Sequence, residues 1–110
     1  MQAIYKLHFD CGRSGTVKGI FIAEKEEIDY IVDTKYRVYF GEVLGKHSEV
    51  MGPLEKGDYT LISDKPEDVE VVKRLKLEIG SNPVHLWKED EDEDSSYQQF
   101  KNERSSTRQA

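Results

Sequence analysis

The large apolar side chains of this chain stop, with two exceptions, at Trp87. Residues 1–87 carry Tyr5, Leu7, Phe9, Ile20, Phe21, Ile22, Ile28, Ile31, Val38, Phe40, Leu61, Ile62, Val69, Val72 and Leu75, enough for one small core. Residues 88–110, KEDEDEDSSYQQFKNERSSTRQA, offer only Tyr97 and Phe100. A segment so poor in apolar surface does not offset the entropy of ordering its backbone, so disorder is expected there. The division is thus a folded domain over 1–87 and a disordered acidic tail over 88–110.

The charge follows the same division. The domain holds 12 basic and 15 acidic groups and the tail 4 and 7, so each contributes half of the net −6. Neither part has the basic excess of a general nucleic-acid binder, and nucleic acid is disfavoured as a partner. The one cysteine, Cys11, excludes an internal disulfide and a cysteine-built zinc site. His8, His47 and His85 have no ligand spacing, and neither a metal nor a cofactor is expected. No apolar run is long enough for a membrane span, and Lys6, His8 and Asp10 interrupt any secretory signal. A cytoplasmic setting is the simplest reading.

Within the domain, AIYKLHFD (3–10) alternates with the period of a half-buried strand, Tyr5, Leu7 and Phe9 on one side. CGRSG follows, and TVKGIFIA (16–23) resumes β-branched and aromatic sequence, so the pair reads as a hairpin. In EKEEIDYIVDTK (24–35) the apolar spacing changes to that of a helix, with acids at its start. Strands are expected over 36–44, 47–51 and 58–63.

The segment 63–80 suggests a helix capped by Asp64 with Glu67 three residues on. Its face is Val69, Val72, Leu75 or Lys76, and Ile79, and Gly80 ends it. SNP then breaks the chain, and VHLW (84–87) reads as a last strand or an apolar tether. The order β-β-α-β-β-β-α predicts an α+β two-layer domain, a mainly antiparallel sheet of about five strands with two helices on one face.

The stretch FGEVLGKHSEV (40–50) resembles a phosphate-binding loop and fails as one. Three residues rather than four separate Gly41 from Gly45, and His47 stands where the metal-binding hydroxyl belongs. What remains is a glycine-marked bulge or turn bearing Glu42, Lys46, His47, Ser48 and Glu49, a candidate binding surface together with Arg13 of the hairpin tip. Cys11 beside Arg13 lacks the surroundings of a catalytic thiol and reads as a small half-buried side chain.

In the tail, Glu89, Asp90, Glu91, Asp92, Glu93 and Asp94 would steer toward a basic partner surface. Tyr97 and Phe100 would anchor a segment that folds on binding. The leading functional expectation is a small non-catalytic protein-interaction module. A regulator or inhibitor of the kind a mobile element or phage encodes fits that profile. A second reading is a binder of a small anionic ligand or nucleotide through the 41–49 loop and Arg13. The third is a small enzyme with His47 and Glu49 in acid–base roles.

Overall fold

The computed structural model describes residues 1–45, 49–89 and 95–109, the side chains of Ser14 and of 103–109 excepted. The expected α+β class holds. Strands β1 (Gln2–Asp10) and β2 (Thr16–Glu24) form an antiparallel hairpin in continuous register from Gln2↔Glu24 to Asp10↔Thr16. Its tip is a 3-10 turn at Gly12–Ser14, closed by the Cys11 N–H donating to the Gly15 carbonyl at 2.8 Å. Helix α1 (Lys25–Asp33) follows, then β3 (Arg37–Gly41) and β4 (Val50–Pro53), paired as a separate two-stranded ribbon. β5 (Tyr59–Ser63), α2 (Pro66–Leu75), β6 (Ile79–Gly80), α3 (Pro83–Lys88) and α4 (Ser96–Gln109) complete the described chain. The larger sheet has the order β5-β1-β2-β6.

The alternation of the hairpin creates two sheet faces with different fates. Ala3, Tyr5, Leu7, Val17, Phe21 and Ala23 point to the first face. There they join Ile28 and Ile31 of α1, Val38, Phe40 and Val50 of the ribbon, and Val84 and Trp87 of α3 in one core. Phe9 and Phe40 meet at 5.4 Å between ring centroids, tying the ribbon to the hairpin. The even-numbered residues of β1 face the other way. Ile4 and Val69 of α2 are both buried yet stand outside that core, and Lys73 Nζ donates to Gln2 Oε1 at 2.6 Å. Helix α2 therefore lies across the second face, while α1 and α3 serve the first.

Four local readings need correction. Helix α2 starts one residue later than the expected cap: Lys65 is the N-cap and Pro66 opens the helix. The Asp64 carboxylate is instead drawn 2.7 Å from Lys25 Nζ, and Ser63 Oγ donates to Asp68 Oδ2 at 2.6 Å. α2 also ends early, because Lys76 adopts the left-handed conformation (φ 54°) and the Leu77 N–H reaches back to the Val72 carbonyl at 3.0 Å. Gly80, expected to stop that helix, lies in β6.

VHLW is helical. Asn82 Oδ1 accepts from the N–H groups of Val84 and His85, both at 3.1 Å, and Pro83 occupies the first helical position. The expected strand over 36–44 ends at Gly41 (φ +82°), where the pairing with β4 slips by one residue.

Beyond Trp87 the chain returns to the domain. Ser95 Oγ accepts from the Gln98 N–H at 3.1 Å at the start of α4, and Phe100 is buried in the first-face core.

Candidate interaction surface

The hairpin tip meets the described start of the 41–49 segment: Leu44 packs over Gly15, where an added Cβ would sit 3.6 Å from its Cδ2. Arg13, Glu42 and Glu49 are exposed there. Lys46, His47 and Ser48, the centre of the expected binding loop, lie outside the described residues, as do Asp90, Glu91, Asp92, Glu93 and Asp94. Tyr39 Oη donates to Glu49 Oε1 at 3.1 Å, and this hydrogen bond is the main reason the Tyr39 phenol is raised above its ordinary pKa.

Burial, and after it the carboxylates of Asp10 and Asp58, pushes the Cys11 thiol up, opposite to what an activated nucleophile needs. Among the described residues charge here is mixed, with Asp10 and Asp58 near Cys11 and Glu42 and Glu49 near Tyr39, and it does not converge on a single anion. Among the described residues no group of three or more His, Cys, Asp or Glu side chains is placed to hold a metal.

The described parts of the tail are engaged within the chain. Glu89 ends α3 with its carboxylate 2.6 Å from His85 Nε2. Tyr97 and Phe100 stand 4.9 and 5.4 Å from the Trp87 ring, and Phe100 lies 4.9 Å from Tyr30. These aromatics complete the first face. An ion pair with one buried partner reinforces the same side: Nζ of the exposed Lys88 sits 2.8 Å from Oε2 of the buried Glu27, joining α3 to α1. Glu27, read from the sequence as a helix-start acid, is a structural partner as well.

The second face also leaves surface uncovered. α2 covers the Ile4 end and leaves the rest of β1 and β2 open. Cross-strand rows there run Thr60–Lys6–Ile20–Ile79 and His8–Lys18. Lys6, Lys18, Ile20 and Ile79 line a shallow depression of about 370 Å³, floored in part by Gly19 and Gly80. Ile79 is 68% exposed, and Leu75 and Leu77, leading into it from α2, are about half exposed. Among the described residues neither Lys6 nor Lys18 has an ion-pair partner.

β6 itself is held by a close crossing. A Cβ on Gly80 (φ +75°) would lie 2.9 Å from the Gly19 Cα and closer still to the Lys18 carbonyl oxygen; one on Gly19 would fall onto the Ser81 carbonyl. Just before it, Glu78 Oε1 accepts from the Ile22 N–H at 2.9 Å, so a side chain closes the β2 edge where β6 is too short to reach.

Sequence reasoning passed over this surface although part of its signal was present. Ile4, Lys6 and His8 stand opposite Tyr5, Leu7 and Phe9, and in β2 Lys18, Ile20 and Ile22 do the same. The pairing of Gly80 with Gly19, which brings Ile79 alongside Ile20, has no local signal. Among the described residues no helix is long and apolar enough to cross a membrane. Comparison with protein-family models, curated proteins and solved structures finds no match to this chain.

Proposed function

We propose that this chain is a small non-catalytic protein-binding module of regulatory type, and that it docks its partner on the open half of the second sheet face. The observation carrying this reading is Ile79, 68% exposed and paired with Ile20 on a face that α2 only half covers, with Leu75 and Leu77 about half exposed just before it in the chain. Scattered exposed apolar residues are ordinary, whereas neighbouring ones rimmed by polar groups mark interaction surfaces. Val43 of the 41–49 segment and the cross-strand pair Tyr39 and Met51 are also about half exposed, but among the described residues Ile79, at 68%, is the most exposed large apolar side chain, which favours the sheet face over the loop.

The reading is tested with immobilised wild type, Ile79→Asp and Arg13→Ala chains used side by side to retain proteins from one extract. Wild type and Arg13→Ala are expected to retain the same proteins, and Ile79→Asp to lose them. Equal retention by all three places docking elsewhere.

A further inference from the structure

We infer that the occupant of this open half-face is a short acidic segment of a partner protein, carrying a large apolar side chain beside its carboxylates. The inference deepens the binding reading and rests on it. Residues directly opposite on one sheet face stand roughly 5 Å apart at Cβ, and diagonal neighbours about 7–8 Å. Ile20 lies opposite Lys6 and two residues along β2 from Lys18, so two ammonium groups flank one apolar side chain. Ile79 extends the apolar floor on the side away from Lys6.

The net charge of the chain is −6, yet two lysines line this depression, and the neighbouring Glu78 carboxylate is held on the Ile22 N–H. Both lysines lack an ion-pair partner among the described residues, and His8 stands opposite Lys18. An apolar side chain seated on Ile20 and Ile79, with carboxylates within reach of Lys6 and Lys18, satisfies both halves of the surface. A free inorganic anion has no use for Ile79. A nucleic-acid strand needs a longer basic track than two lysines on an acidic protein provide.

The test titrates the full chain with a fluorescein-labelled peptide alternating leucine with glutamate, and with its counterpart alternating leucine with glutamine. The glutamate peptide is expected to bind, to weaken as salt is raised, and to lose roughly tenfold in affinity on the exposed double variant Lys6→Gln, Lys18→Gln. Ile79→Asp is expected to weaken it further.

Equal binding of the two peptides overturns the acidic partner and leaves the protein-binding face standing. Absence of binding by either, together with unchanged retention by Ile79→Asp in the extract experiment, removes both. Tighter binding of an oligothymidylate, lost in the double lysine variant, transfers the surface to nucleic acid. A concentration-dependent dimer abolished by Ile79→Asp makes a second copy the occupant, and that also overturns the inference.

Discussion

The two faces of the hairpin are built from the same two strands and stabilised very differently. On the first, Tyr5, Leu7 and Phe21 meet side chains from α1, α3, α4 and the ribbon, and Trp87 is fully buried where the helices converge. On the second, Ile4 and Val69 are the buried apolar pair beneath a single ten-residue helix, and the sheet beyond them is open. Burial scales with the number of elements that converge, so the first face supplies most of the stability and leaves the second free to carry a surface. Under the proposed reading, one small domain separates folding from binding by assigning them to opposite faces of one hairpin.

The largest expected effect comes from cutting the first face. Trp87→Ala is expected to cost about 3–5 kcal/mol in urea unfolding, against about 1–2 kcal/mol for Val69→Ala on the second. Equal losses would dissolve the contrast. Next is the crossing that holds β6: Gly80→Ala meets the Lys18–Gly19 backbone of β2 and forfeits a positive φ, for an expected loss of about 2–3 kcal/mol by the same measurement.

A pH experiment separates the faces without truncating a side chain. Burial, followed by the charge of Asp29, pushes the Tyr5 phenol from its ordinary value near 10 up to about 12. The folded state therefore holds the proton more tightly than the unfolded state. The stabilisation is complete below pH 10 and is lost as pH rises through about 12. Circular dichroism should show an alkaline loss of stability over that interval that Tyr5→Phe reduces, while Ile79→Asp leaves it in place. The smallest effect sharpens the comparison most: Ile79→Asp should change stability by less than about 0.5 kcal/mol while removing partner binding.

Much of the fold was legible because period and burial agree in the hairpin and in α1. The errors share a cause, which is that caps are conformations rather than compositions. Lys76 ends α2 in a left-handed geometry usually taken by glycine, so from the sequence Gly80 reads as the stop. SNP reads in the sequence as a break and the four apolar letters after it as a strand or tether, whereas in the fold Asn82 caps a helix that Pro83 opens.

Tyr97 and Phe100 read in the sequence as anchors for a partner from a disordered tail, whereas the fold packs them against Trp87 and Tyr30 of the same chain. For the interaction surface, Lys6, Lys18 and Ile20 were legible as one side of a strand pair. That Ile79 joins them depends on a chain crossing some sixty residues away in sequence, which no local pattern encodes.

Trp87 is the only tryptophan of the chain, and among the described residues its indole N–H has no hydrogen-bond acceptor. Its intrinsic emission is consequently a reporter for one side of the protein. It should be short in wavelength while α1, α3 and α4 are assembled, and red-shifted when any of them lifts and admits water. Binding on the opposite side of the sheet should leave that signal almost unchanged. A spectroscopist following this protein by its tryptophan would see it fold and miss its partner arriving, unless a second chromophore were placed beyond β2.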